Sequence, residues 1–109
     1  MLSKTISPKE LHNNLDNVKL GTWSLIDVRS VSEYRAGHIP MAALMPFGHT
    51  TKTAQQINPD AMTVLYCRTG NRSGEEAQEL SGMGFNNVYS LDGGLTNWIS
   101  SGFPVEEGR

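Results

Sequence analysis

Residues 62–84, MTVLYCRTGNRSGEEAQELSGMG, give the clearest indication of the fold. Residues 62–67 have the Val, Leu and Tyr content that is typical of a central strand. Residues 73–83 follow with a helical pattern, and Gly84 provides the stop that commonly ends a helix. The segment therefore predicts a strand, a short loop and a helix, with Cys67 at the carboxyl end of the strand.

The rest of the chain alternates the same two signals. Three more strands are predicted at 23–28, 42–47 and 87–91. Four more helices are predicted at 8–18, 30–37, 50–57 and 92–101. The predicted inward residues of the last helix are Leu95, Trp98 and Ile99. Strands that alternate with helices predict an α/β fold in which a parallel sheet carries helices on both faces.

Capping residues support three of these helix starts. Ser7 with Glu10 and Ser30 with Glu33 have the spacing of a capping box, in which each side chain satisfies a backbone N–H group. Asp92 is the predicted cap of the last helix.

Composition narrows the class of protein. A chain of 109 residues suits one domain, 1–109, and its formal net charge of -2 gives no reason to expect nucleic acid as a partner. The best apolar run, 41–47, is far shorter than the roughly 20 residues of a membrane-spanning helix, so no membrane partner is expected. The first residues lack the apolar region of a signal peptide, and we expect a cytoplasmic location.

The chain contains one cysteine. An internal disulfide and a metal site made of cysteines are therefore both excluded. The lack of a disulfide fits a reducing compartment. The three histidines, His12, His38 and His49, are not at the spacing of metal ligands, and we expect no metal.

The loop after the strand has the composition of an anion site. Its residues are Cys67, Arg68, Thr69, Gly70, Asn71, Arg72 and Ser73. Gly and Asn allow several backbone N–H groups to face one point, and the start of the next helix adds partial positive charge. Such a field lowers the pKa of a cysteine to roughly 3.5–7.5, which makes the thiolate a nucleophile at neutral pH. The alternative is a buried, inert cysteine at a strand end.

Three segments resemble the rhodanese family, the thiosulfate sulfurtransferases. LIDVRSVSEYRAGHIPMA (25–42) resembles the upstream signature of the family, YCRTGNRS (66–73) its active-site loop and LDGGLTNW (91–98) its late glycine and tryptophan segment. The matching residues of the first segment are Asp27, Arg29, Glu33, Tyr34, Gly37, His38 and Ile39. One position departs from the pattern, since Met41 stands where the family usually has glycine.

The resemblance implies a five-stranded parallel sheet and a double-displacement reaction without a cofactor. Cys67 would attack the outer sulfur of thiosulfate, the small anionic donor, release sulfite and keep a persulfide. A thiophilic acceptor, cyanide or a thiol that includes protein thiols, would then remove the sulfur. Because the chain has no second cysteine, the persulfide cannot collapse into an internal disulfide.

The residues around Cys67 receive different expected roles. Arg72, at the end of the loop, is expected to support the anion directly, whereas Arg68 is expected to tune the entrance. Asp27, Arg29 and Glu33 could orient the loop or contact substrate, and the alternative is a salt-bridged cluster that supports the strand end. The hydroxyls of Thr69 and Ser73 could donate to the sulfur, and His38 is expected to be structural.

Three other functions stay open. A persulfide carrier that serves a protein partner would use the same cysteine chemistry. A small cysteine phosphatase or arsenate reductase, which the resemblance says share this fold, would need five residues between cysteine and arginine, whereas four separate Cys67 from Arg72. A binding domain that does not use the cysteine would keep its function when Cys67 is replaced.

Overall fold

The computed structural model describes residues 4–108. Its centre is one parallel sheet of five strands in the order β1-β5-β4-β2-β3. The strands are β1 (Lys4–Ile6), β2 (Trp23–Asp27), β3 (Ala43–Leu44), β4 (Met62–Tyr66) and β5 (Val88–Leu91). The helices are α1 (Pro8–Asn13), α2 (Leu15–Leu20), α3 (Val31–Ala36), α4 (Thr50–Gln56), α5 (Asn71–Gly82) and α6 (Gly94–Ser100). The five-stranded parallel α/β fold is therefore confirmed.

Alternating side chains of the central strands build a core on each face of the sheet. Val64 of β4 belongs to a cluster that includes Leu11 of α1 and Trp98 of α6. Leu65, the next residue, belongs to a second cluster that includes Leu80 of α5. Successive residues of a strand face opposite sides, so a strand buried on both faces reads as a continuous apolar run.

The register places the end of β4 beside the end of β2. Asp27 pairs with Tyr66, the last residue of β4, and the backbone N–H of Val28 donates to the carbonyl of Tyr66 at 3.0 Å. Cys67 therefore emerges next to the segment that follows Asp27, at the edge where ligands of parallel sheets bind.

The first predicted helix is two helices, because Asn14 interrupts it. Asn14 Nδ2 donates to the carbonyl of Glu10 at 2.8 Å, and that carbonyl is the acceptor that the Asn14 backbone N–H would use in a continuous helix. The backbone N–H bonds instead to the carbonyl of Leu11 at 2.9 Å. Asparagine side chains compete with helical hydrogen bonds in this way, which explains the error.

Other helix predictions at the sheet's carboxyl edge were also wrong in detail. The helix α5 begins at Asn71 and not near Ser73, because Gly70 caps it with φ 118°. The helix α6 is capped by Gly93, with φ 72°, and not by Asp92. In both places a glycine takes a left-handed conformation that other residues avoid, and so the chain turns from strand to helix in fewer residues.

Two further expectations were wrong. Ile99 was expected to face the core, but 52% of it is exposed. The strand predicted at 42–47 is confined to the two residues of β3, since the chain leaves the sheet before Pro46. The strand β1 had not been predicted from the residues at all.

The end of the described chain is tied to α3. The backbone N–H of His38 donates to the carbonyl of Glu106 at 2.9 Å, and Glu106 N–H donates back to His38 at 2.8 Å. Gly108 N–H donates to the carbonyl of Arg35 at 2.9 Å. These bonds hold residues 106–108 against the carboxyl end of α3. No helix within residues 4–108 is long and apolar enough to cross a membrane.

Met41 has φ 72° and is the one residue other than glycine with a positive φ in the described part of the chain. The left-handed conformation strains a residue that carries a Cβ. We expect Met41→Gly to raise the free energy of unfolding by about 0.5–1 kcal/mol, because relief of the strain exceeds the added entropy of the unfolded chain. Urea unfolding measures the change.

Met83 is the matched control for Met41. It is exposed to a similar degree, 49% against 45%, but its φ is -96°. Met83→Gly should lower the stability by about 0.5–1 kcal/mol, because glycine there adds entropy to the unfolded chain and relieves no strain. Equal effects of the two substitutions would contradict strain at Met41.

Candidate active site

Cys67 lies at the bottom of the turn between β4 and α5. It is 1% exposed, and only residues 68–70 separate it from the first residue of α5. Gly70 has φ 118°, in the left-handed region, which lets the chain turn back over the sulfur within this short loop. The cysteine is therefore a buried residue, and a reacting molecule has to enter the loop to reach it.

Hydrogen-bond donors surround the Cys67 sulfur. The backbone N–H of Gly70 donates to Cys67 Sγ at 3.0 Å, and Ser73 Oγ lies 3.5 Å from Sγ. Ser73 Oγ also lies 2.7 Å from the hydroxyl of Ser90 on β5. When Ser90 donates its proton to Ser73, the Ser73 proton is shared between the sulfur and the carbonyl of Gly70, which lies 3.3 Å from Ser73 Oγ.

The pKa of Cys67 reflects two opposing effects. Burial raises the pKa, because a thiolate loses its hydration in a protein interior. The hydrogen bonds from the Ser73 side chain and from the backbone N–H groups of Ser73, Gly70 and Thr69 lower it, and together they outweigh burial. The net pKa is below the ordinary value for cysteine, so the site favours a thiolate although the residue is buried.

The helix α6 fixes the direction of the peptide groups in the loop. The backbone N–H of Leu95 donates to the carbonyl of Cys67 at 2.9 Å, and that of Thr96 donates to the carbonyl of Arg68 at 3.0 Å. In a trans peptide the carbonyl and the following N–H point in opposite directions. The N–H of Thr69, which follows the Arg68 carbonyl, is therefore turned away from α6 and toward the sulfur.

Gly94 lets α6 approach this closely. A Cβ atom at position 94 would lie 2.6 Å from the carbonyl carbon and oxygen of Arg68 and from the carbonyl oxygen of Cys67. The residue also has φ 61°. Both the contact and the backbone conformation therefore require glycine.

Arg72 does not project freely into the loop. Its guanidinium makes two bonds to the Glu33 carboxylate, Nη1 to Oε1 at 3.2 Å and Nη2 to Oε2 at 3.3 Å. Glu33 also completes a capping box with Ser30 at the start of α3. The hydrogen bond from Arg72, then the backbone bond from Ser30, lowers the pKa of Glu33 to about 2. Arg72 contributes charge near Cys67, and Glu33 holds its guanidinium.

Asp27 and Arg29 form a buried ion pair at the end of β2. Arg29 Nη2 lies 2.7 Å from Asp27 Oδ2, and the two side chains are 5% and 0% exposed. Arg29 Nη2 also donates to the carbonyl of Gly37 at 2.6 Å, which ties the end of β2 to the end of α3. This geometry is that of the salt-bridged cluster considered as an alternative to substrate contact.

Three residues of the loop have exposed side chains. Arg68, Thr69 and Asn71 are exposed, and within residues 4–108 the Arg68 guanidinium is in no ion pair. The backbone of Thr69, rather than its hydroxyl, contributes to the pKa of Cys67. Arg68 therefore presents a positive charge at the mouth of the loop that is in no ion pair within the described residues.

Sequence reasoning missed Ser90 and the role of Gly94. Ser90 is 3% exposed and pairs with Leu65 in the sheet, two residues before Cys67. A serine in the otherwise apolar strand NVYSL was the available signal, because buried hydroxyls need partners. Gly94 was within the segment quoted for the resemblance, but nothing in the sequence showed its contact with the loop.

Two of the three histidines stack on aromatic rings. His12 stacks on Phe103 with ring centroids 4.2 Å apart, and His38 stacks on Tyr34 at 3.7 Å. His49 precedes α4. Among the residues that the structure describes, no group of three His, Cys, Asp or Glu side chains is placed to hold a metal ion.

Comparisons with known proteins agree with this fold. Residues 7–101 match the family described as Rhodanese-like domain. The chain is 38% identical over 82 residues to the thiosulfate sulfurtransferase GlpE of Pseudomonas entomophila, and the match covers 75% of this chain and 74% of that protein. Two other curated relatives are longer, and the matches cover 59% and 55% of their lengths.

Solved structures give the same result. A rhodanese-like domain protein from Staphylococcus aureus is 26% identical, with a TM-score of 0.81 that covers 97% of this chain and 99% of that one. A thiosulfate sulfurtransferase from Pseudomonas aeruginosa is also 26% identical, with a TM-score of 0.80 over 97% of this chain but 20% of that one.

The fold and the loop thus define an α/β protein with a buried cysteine in the turn between a central strand and a helix. The chain belongs to the rhodanese-like domain family. Its relatives support a sulfurtransferase activity in general terms.

Ser73→Ala should raise the pKa of Cys67, because the Ser73 side chain is the largest contribution that lowers it. The measurement is the pH dependence of alkylation by iodoacetamide, which reports the thiolate fraction. Ser81→Ala is the control, since Ser81 is exposed on the same helix. Circular dichroism checks the fold. A midpoint that Ser73→Ala leaves unchanged would show that its hydroxyl does not stabilise the thiolate.

Gly94→Ala should destabilise the protein by about 2 kcal/mol or more and also raise the pKa of Cys67, because the new methyl group displaces the loop. Gly102→Ala provides the comparison, since Gly102 has φ 87° and nothing lies within 4 Å of a Cβ there. That variant should lose only about 1 kcal/mol and keep the thiol pKa. Urea unfolding and alkylation measure both effects, and equal behaviour of the two variants would refute the close contact.

Proposed function

We propose that this protein is a thiosulfate sulfurtransferase that carries the transferred sulfur as a persulfide on Cys67. The observation on which the proposal rests is the set of donors around Sγ, with Gly70 N–H at 3.0 Å and Ser73 Oγ at 3.5 Å. These donors lower the pKa of the thiol and are oriented to stabilise a negative sulfur.

The first half-reaction is nucleophilic displacement at sulfur. The Cys67 thiolate attacks the outer sulfur of thiosulfate, an S–S bond forms, and the S–S bond of the donor breaks with its electron pair leaving on sulfite. The unpaired charge of Arg68 attracts the anionic donor to the mouth of the loop. The charge of Arg72, although shared with Glu33, adds to the same field.

The second half-reaction returns the enzyme to its starting state. A thiophilic acceptor, cyanide or a thiol, attacks the outer sulfur of the persulfide, and the Cys67 thiolate leaves. The chain has one cysteine, so the sulfur has to go to an external acceptor. The covalent persulfide makes a further cofactor unnecessary, and neither nucleic acid nor a membrane takes part. A thiolate site of this kind is suited to a reducing compartment such as the cytoplasm.

The geometry of Arg72 argues against phosphatase chemistry. A phosphatase loop needs its arginine to bind the oxygens of a tetrahedral anion. Here the Arg72 guanidinium makes both of its bonds to Glu33. The loop is also one residue shorter than the cysteine phosphatase pattern.

Intact mass spectrometry tests the proposal. After exposure to thiosulfate, the protein should gain one sulfur atom, and cyanide should remove it. Cys67→Ser should gain none, whereas the exposed Ser81→Ala should behave as the unmodified protein. Loss of the sulfur to cyanide with repeated turnover supports an enzyme, and loading without turnover supports a persulfide carrier. Absence of loading at pH values where the thiol alkylates readily would overturn the proposal.

A further inference from the structure

A cleft of about 330 Å³ lies beside the active-site loop. One wall is formed by Glu33 and Ala36 of α3, and the other by Leu95 and Ile99 of α6. Arg68 of the loop lines the same cleft. The cleft thus begins at the mouth that leads to Cys67 and runs between two helices.

The charges around this cleft leave one positive charge unmatched. Arg29, which also lines it, is paired with Asp27, and Glu33 is paired with Arg72. Only Arg68, among the charged groups that line the cleft, is in no ion pair within the described residues. A cleft with a net positive charge attracts an anionic occupant.

The rest of the lining is largely apolar. Leu95 and Ala36 contribute aliphatic surface, and Ile99 is 52% exposed although it is a large apolar residue of a helix. The first turn of α6 is bonded to the loop through the Leu95 and Thr96 N–H groups, at 2.9 and 3.0 Å. The apolar wall and the sulfur site are therefore held in a fixed relation.

We propose that this acceptor cleft binds a small thiol that carries a carboxylate, and that this compound is the sulfur acceptor of the second half-reaction. The inference rests on the sulfur transfer through Cys67 proposed above. The carboxylate pairs with Arg68, and the carbon skeleton lies on Leu95 and Ile99. Because thiosulfate has reacted and sulfite has left before the acceptor arrives, donor and acceptor use Arg68 in turn.

The size of the cleft suits a small molecule. A volume of about 330 Å³ is at the lower end of the range for small-molecule sites, roughly 300–1,000 Å³.

The transfer step balances in atoms and electrons. The acceptor thiolate attacks the outer sulfur of the Cys67 persulfide and forms a new S–S bond. The bond between that sulfur and Cys67 Sγ breaks, and its electron pair stays on Sγ. The products are the persulfide of the acceptor and the Cys67 thiolate, which the Gly70 and Ser73 donors stabilise.

The test isolates this step by a single turnover. Protein loaded with sulfur by thiosulfate and freed of excess donor is mixed with 3-mercaptopropionate or with 3-mercaptopropionamide, its neutral counterpart. Mass spectrometry follows the loss of the persulfide. The readout is the second-order rate constant for 3-mercaptopropionate divided by that for the amide. The two thiols differ in basicity, but this difference cancels when the ratio is compared between variants.

Ile99→Glu places a negative charge on the wall of the cleft and should lower the ratio by about threefold to tenfold. Ile99→Lys should raise it by a similar factor. Thiosulfate is also an anion, so each variant is first loaded with excess thiosulfate until mass spectrometry shows complete conversion to the persulfide, and only the second step is then timed. Ser100→Glu is the matched control, because Ser100 is the exposed neighbour on α6 that does not line the cleft, and its ratio should stay near that of the unmodified protein.

Arg68→Gln gives a second, independent reading, since it removes the proposed partner of the carboxylate and should lower the ratio below that of the unmodified protein. Both effects should weaken in high salt. A ratio that ignores the charge at position 99, or that responds equally to Ser100→Glu, would overturn the acceptor cleft. Failure of thiosulfate to load any variant would instead contradict the proposed sulfur transfer, so the two failures are distinguishable.

Discussion

The site depends on two backbone hydrogen bonds from α6. The N–H groups of Leu95 and Thr96 take the carbonyls of Cys67 and Arg68, at 2.9 and 3.0 Å. With the Arg68 carbonyl held outward, the N–H of Thr69 in the same peptide faces the sulfur, beside the N–H groups of Gly70 and Ser73. Backbone groups also keep their direction during a reaction, whereas side chains can rotate. The donors that receive the negative charge are therefore in place before the charge develops, which is the condition for electrostatic catalysis.

The same arrangement reconciles burial with reactivity at Cys67. A cysteine that is 1% exposed in an apolar cluster is ordinarily an inert neutral thiol. Here one side of the sulfur packs on the core, and the other side faces Gly70 N–H and the Ser73 hydroxyl. The apolar side excludes water that would weaken these bonds, and the polar side stabilises the thiolate. Ser90 matters for this balance because its hydroxyl lies 2.7 Å from Ser73 Oγ and holds that side chain beside the sulfur.

The sequence was sufficient for the fold class and the position of the cysteine, because buried central strands and helix stops are local signals. It was insufficient where the answer depended on a contact between distant residues. The direction of Arg72 is set by Glu33, 39 residues earlier. The strand β1 has three residues of which only Ile6 is buried, so it exists through pairing with β5 rather than through its own pattern. The predicted starts of α5 and α6 were misplaced because each helix is capped by a glycine with a left-handed φ, and a glycine in a sequence usually indicates a loop.

The bonds between residues 106–108 and α3 link the far end of the described chain to the entrance of the site. Glu106 bonds to His38, and Gly108 bonds to Arg35. Val105 also packs near Gly37, with a methyl group 3.8 Å from where a Cβ would lie. This segment therefore braces the helix that carries Glu33 and Ala36. The shape of one side of the entrance thus depends on residues distant from Cys67 in the sequence, whereas the donors at the sulfur do not.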